Sequence, residues 1–190
     1  MTAEQRVEER LSELTQRVRA SADRGPRVGA ALVSGAAGAL AVTAVHQLAR
    51  RRVPHAPRMD VLGMRAIARG AHRMGRRSPT GRTLYRATLA GDLLSNTAYY
   101  SVVALGGQHA MRTGAALGIA AGIGALLLPP AMGLGRPPHA DAWANRLMTV
   151  AWYTLGGLAA GCTYQQLHAQ RSMARSTRYE NEIGRCFSQS

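Results

Sequence analysis

Lysine is absent from this chain. All 24 basic residues are arginine, against 10 acids, and the formal net charge is +14. Acids are scarce where they would matter most. Between Asp23 and Glu180 the only ones are Asp60, Asp92 and Asp141. Cysteine is nearly missing too: Cys162 falls in an apolar run and Cys186 in a polar end, which argues against a disulfide framework or a cysteine metal site. A basic chain first suggests nucleic acid. The arginines do not form one patch, however. They cluster in one loop and at the two ends, flanking long apolar runs, which is how charge partitions between water and lipid. No nucleic-acid partner is expected.

What is present is apolar length. At 190 residues the chain suits a single domain. A membrane core about 30 Å thick needs about 20 helical residues. Four segments approach that length, at residues 28–49, 84–107, 113–128 and 144–167. The third is closed by Pro129 and Pro130. A soluble bundle of such helices would carry a charged face, and these segments almost lack one. The expected fold is all-α: a compact four-helix transmembrane bundle spanning residues 28–167. The first 27 residues are charged, and the first apolar run is too long for a signal peptide, so no cleavable leader is expected.

The flanking regions read as follows. Thr2 and Gln5 have capping-box spacing, and Val7, Leu11, Leu14 and Val18 share a stripe. Residues 1–27 are thus expected to form an amphipathic helix ended by Gly25-Pro26. Residues 168–190 are expected to form a flexible polar tail. In the first loop, residues 59–77 have helical periodicity. Val61, Met64, Ile67, Ala71 and Met74 fall on one face, and Arg65, Arg69, Arg73 and Arg76 on another. That is the pattern of an interfacial helix, in which guanidinium groups face anionic phospholipids. Arg58 is a further candidate head-group contact. Arginine nearly balances across the two sides, and the greater density of the first loop favours a cytoplasmic location for it.

Small residues recur every fourth position: Gly114, Gly118 and Gly122; Gly156 with Ala160; Gly157 with Gly161; Ala30, Ser34 and Gly38; Ala87, Gly91 and Ser95. Burial alone cannot join helices in lipid, so small residues that permit close backbone contact should mark the seams.

The second segment holds the least expected chemistry. Asp92, Ser95, Asn96 and Tyr99 share one face of an otherwise apolar helix. A carboxyl group near mid-membrane costs roughly 2.5–3.5 kcal/mol on insertion scales, so it should face the bundle. His46, near the end of the first span, is the candidate partner, with Asn96, Thr149 or Tyr153 also within expected reach. The group His46, Asp92, Ser95, Asn96 and Tyr99 is either a structural pin between helices or a protonatable or ligand-binding site. No catalytic motif, metal-ligand spacing or cofactor fingerprint accompanies it.

The stretches "HQLARRRVPHAPRMDVLGMRA" and "LAGDLLSNTAYYS" resemble signatures of small bacterial four-helix inner-membrane proteins of unassigned biochemistry, over residues 29–164. The resemblance implies a multi-pass inner-membrane location. It adds weight to His46, Arg58, Asp60, Asp92, Ser95 and Asn96. Three functions follow as expectations. The first is a non-enzymatic protein that binds lipid or a membrane partner, or assists assembly. The second is a small oligomeric transporter or proton-coupled carrier using Asp92. The third is an intramembrane lipid-modifying enzyme with Asp60 or Asp92 as base.

Overall fold

The computed structural model describes the backbone of residues 3–136 and 142–187, and side chains over residues 27–136 and 142–174. Among the described residues every regular element is helical. In order these are α1 (Ala3–Arg52), α2 (Met59–Arg73), α3 (Gly81–Ser101), a 3₁₀ segment (Val102–His109), α4 (Ala110–Ala131) and α5 (Trp143–Phe187). Two stretches, Arg27–Arg52 and Gly81–Ala131, are long and apolar enough to cross a bilayer.

Several boundaries differ from the sequence reading. The first helix does not stop at Gly25-Pro26 but continues through it, so the N-terminal arm and the first apolar run are one element. One proline removes a single ladder hydrogen bond, and helix on both sides keeps the rest. Thr2 of the capping box lies outside the described residues. The expected tail is likewise helix up to Phe187. Its Gln, Arg, Ala and Glu residues are good helix formers, and no proline interrupts them. Helix α4 begins at Ala110, earlier than expected, and runs through Pro129 and Pro130 to Ala131. The second span ends early instead. After Ser101 the chain tightens into the 3₁₀ segment, and Gly107 turns it with φ +52°. Helix α2 stops at Arg73, and Gly75 at φ +66° follows.

The long helices stand in a row, α3–α1–α5–α4. Helix α5 packs against both α4 and α1, and α1 also packs against α3. The α4–α5 seam is glycine against glycine. A Cβ on Gly114 would meet the Gly157 carbonyl, and one on Gly157 would meet the Gly114 carbonyl. Gly161 lies as close to Ala110 and Met111, and Gly122 to Val150. On the α1 side, Gly38 and Gly156 face each other around the ring of Tyr100. That ring is fully buried and packs with Val42, Val103 and Ala160. Its hydroxyl donates to the Tyr153 carbonyl at 2.8 Å.

One expected seam is not a seam. Gly91 and Ser95 on α3 are exposed, and nothing lies within 4 Å of a Cβ built on Gly91. Helices α3 and α4 do not pack along each other, and this stripe borders the gap between them.

Candidate functional site

The gap between α3 and α4 holds the candidate site. Toward the chain-terminal side of the bundle α3 is joined to α4 by Tyr99, whose hydroxyl donates to the Leu117 carbonyl at 2.8 Å. On the opposite, first-loop side α2 crosses its end. Leu62 of α2 is buried, and the bare Cα of Gly63 admits the methyl of Thr88 on α3. At its other edge α2 is tied to the loop after α4. Arg69 Nη1 donates to the Gly133 carbonyl at 2.7 Å. Arg65 Nη1 reaches the carbonyls of Leu134 and Arg136 at 3.1 and 3.2 Å. Gly133 and Gly135, with φ +72° and +77°, give that loop the turn that presents its carbonyls.

The cavity is partly open and has a volume of about 350 Å³. Its apolar wall includes Leu62, Ile67, Leu89, Ala125 and Pro129. Its polar lining includes a whole stripe of α1 and, from the α3 stripe, Asp92 and Ser95. Thr43, His46, Gln47 and Arg50 repeat on α1 at the same three-four-seven spacing that Asp92, Ser95, Asn96 and Tyr99 show on α3. The α1 stripe was missed as a unit, although its spacing is present in the sequence, because Thr43 and Gln47 are unremarkable in a helix taken one residue at a time.

The first-loop end is a clamp of charges. Arg58 Nε and Nη2 donate to the two carboxyl oxygens of Asp60 at 2.8 and 2.9 Å. Arg50 Nη1 reaches Asp60 Oδ2 at 3.1 Å. Partial burial alone would raise the Asp60 pKa. The hydrogen bonds from Arg58 and the charges of Arg58 and Arg50 outweigh it, and the carboxyl group sits below its ordinary range. Arg50 also lies over the Tyr85 ring, and Gln47 donates to the Tyr85 hydroxyl at 2.8 Å. Two guanidinium groups share one carboxylate, so the clamp carries one net positive charge.

Farther from the first loop the lining includes Thr43, His46, Asp92, Ser95 and Tyr153. The His46 ring is edge-on to Trp152 and Tyr153, with centroids 5.3 and 5.4 Å away. Its Nε2 and the Thr43 Oγ1 are buried without a hydrogen-bond partner.

The expected polar group is therefore divided. His46, Asp92 and Ser95 line the cavity; Asn96 and Tyr99 do not. Asp92 Oδ1 accepts from Asn96 Nδ2 at 2.9 Å, one turn along the same helix. The hydrogen bond found for Asp92 is thus intrahelical, and His46 is not its partner. Register explains this. Gly35 fits against the Thr97 carbonyl and Ser101, and Gln47 meets Tyr85, which leaves His46 more than a turn nearer the first loop than Asp92. Of the expected head-group arginines, Arg58 is in the clamp, Arg65 and Arg69 hold the α4–α5 loop, and Arg73 and Arg76 are exposed. Among the described residues no three His, Cys, Asp or Glu side chains gather as a metal site.

No protein-family model matches this chain, and neither curated proteins nor solved structures show a significant match to it.

Proposed function

We propose that this is a multi-pass bacterial inner-membrane protein that binds a singly charged anionic amphiphile in the cleft between α3 and α4, without converting it chemically. The observation that carries this reading is the cavity itself: an apolar wall, a clamp of net charge +1 at its first-loop end, and a gap between two helices that do not pack together. A head group with one negative charge completes the clamp, and its chain lies against Leu62, Ile67 and Leu89.

Four spans, α1, α3, α4 and the first half of α5, accord with the outward side chains. Leu32 and Leu40, Leu94, Ile119 and Ile123, and Leu147 and Leu155 are all exposed. In water such a belt would be an aggregation surface; in lipid it is at home. The sequence resemblance to bacterial inner-membrane proteins points the same way. Asp60 engages both carboxyl oxygens with arginine, which counts against its use as a catalytic base.

Native mass spectrometry of the protein extracted into mild detergent tests the reading. The expected spectrum contains the protein with one anionic lipid, retained by wild type and lost from Arg50→Ala/Arg58→Ala. A spectrum of bare protein, after incubation with anionic lipid, would overturn it. The second reading, a carrier that moves protons on Asp92, draws on the presence of Asp92 in the same cavity. It requires proton flux into liposomes that Asp92→Asn abolishes.

A further inference from the structure

The cavity wall carries two charged features, and only one of them suits an anion. The clamp of Arg50, Arg58 and Asp60 has one net positive charge. Asp92 is the other feature. Tyr85, Thr88, Leu89, Asp92 and Ser95 of α3 all line the cavity, and helical spacing puts Asp92 near the middle of that face. Its carboxyl group accepts from Asn96, a neutral donor, and it has no ionic partner among the described residues. Arg50 lies over the Tyr85 ring, and Asp92 follows Tyr85 by two turns of α3, about 10 Å. With Asp92 ionised, clamp and carboxylate cancel. An anion seated in the clamp then leaves one uncompensated negative charge in a partly apolar space of about 350 Å³.

We infer that Asp92 takes up a proton from water as the amphiphile's anionic group enters the clamp, so that anion and proton bind as a pair. The inference rests on the amphiphile-binding reading above and adds the proton as a second ligand. Two negative charges about 10 Å apart, at an effective dielectric constant of about 20, repel enough to change affinity on the order of tenfold. A proton on Asp92 removes that repulsion. The other groups around Asp92 do not replace it. Tyr153 of α5 and Tyr85, Tyr99 and Tyr100 of α3 are tyrosines, which never become cations. From α2 comes Asp60, already engaged by arginine, and from α4 come Ala125 and Pro129, which carry no charge. His46 of α1 is the one neighbour able to gain a proton instead, and it lies more than a turn nearer the first loop, edge-on to Trp152 and Tyr153. An apolar chain passing Asp92 brings no positive charge of its own. The coupling belongs to the bound state at equilibrium and requires transport of neither ligand.

Calorimetric titration of the full-length protein in neutral detergent tests this. The probe is a long-chain alkanesulfonate, whose head group keeps one negative charge at every pH used, so only the protein titrates. Each pH, from about 5 to 9, is measured in two buffers of different ionisation enthalpy, which counts the protons taken up on binding. In wild type the affinity should fall on the order of tenfold from the acidic to the alkaline end, with net proton uptake between them. Asp92→Asn keeps the shape and is never charged. It should bind at the tighter level throughout and take up no proton. Wild-type binding with a flat pH profile and no uptake overturns this inference and leaves amphiphile binding standing, and that comparison needs no variant. Uptake that persists in Asp92→Asn places the proton elsewhere and likewise overturns it. Absence of sulfonate binding at every pH overturns both.

Discussion

Arg69 of α2 donates to the carbonyl of Gly133, at 2.7 Å, across the end of the cleft. With Arg65 it holds α2 to the loop that follows α4, while α2 packs on α3 at its other edge. Helix α2 therefore bridges the two helices that do not otherwise pack together. Carbonyls just past the end of a helix carry part of its negative dipole, and guanidinium groups suit them. Replacing both arginines by glutamine should free α2 at that edge while leaving the α4–α5 seam intact. Hydrogen exchange over residues 59–73 should then rise at least tenfold, with exchange over residues 110–128 unchanged. Equal protection of α2 in both proteins would show that the arginines do not hold it.

The glycine seam allows a second test. A Cβ at Gly118 would lie against the backbone of Thr154, at 2.5 Å from its Cα and 2.6 Å from the Tyr153 oxygen. Backbone cannot move aside as a flexible side chain can, so α4 and α5 must separate. Gly118→Ala should cost about 1–3 kcal/mol, the usual range for overpacking. Gly91→Ala is the counterpart. It meets no atom within 4 Å, and it gains up to about 1 kcal/mol of helix propensity. Melting temperatures in detergent should fall for the first and hold or rise for the second.

The clamp should respond to acid. Asp60 is held below its ordinary pKa of about 3.9 by Arg58 and Arg50. A carboxyl group depressed in the folded state stabilises the protein above its unfolded pKa, and that contribution disappears as pH falls through the folded value. The arginine side chains are 42 % and 39 % exposed, so solvent screening limits the contribution to about 1 kcal/mol or less. Asp60→Asn should melt a few degrees below wild type at neutral pH, and the gap should narrow as acid takes the pH below the ordinary carboxylate range. A gap that stays constant until both proteins unfold in acid would show that Asp60 ionisation is not the source.

Asp92 separates two roles. Its observed hydrogen bond runs along α3 to Asn96, so removal breaks no bond between helices. Asp92→Leu should therefore leave the melting temperature within a few degrees of wild type. A larger fall would restore Asp92 as a pin between helices. Because Asp92 lines the cavity, the same substitution should change ligand affinity more than stability.

Topology is open to direct measurement. If α1, α3, α4 and α5 all span the membrane, reporters fused at residues 1 and 190 share a side, and a reporter near Ser78 reports the other. Termini on opposite sides would rule out four spans.

Much of this was set by local pattern. Apolar length placed the long helices, and four-residue spacing of Gly114, Gly118 and Gly122 marked a face that the fold buries against α5. Those outcomes follow from properties of one helix at a time: how long it is, and which residues share a face. The same spacing at Ala87, Gly91 and Ser95 misled, because periodicity defines a face without saying what the face meets. Only tertiary packing decided that α4 stands away from α3 and turns that stripe into the edge of a cleft. Register behaved likewise. His46 and Asp92 each lay on a polar face, yet the contact of Gly35 with Thr97 and the bond between Gln47 and Tyr85 set them more than a turn apart. The arginines of α2 followed the same rule. Their helical face was readable from spacing, but that Arg65 and Arg69 bind carbonyls of residues 133–136 depended on the turn at Gly133 and Gly135, which brings a distant part of the chain within reach.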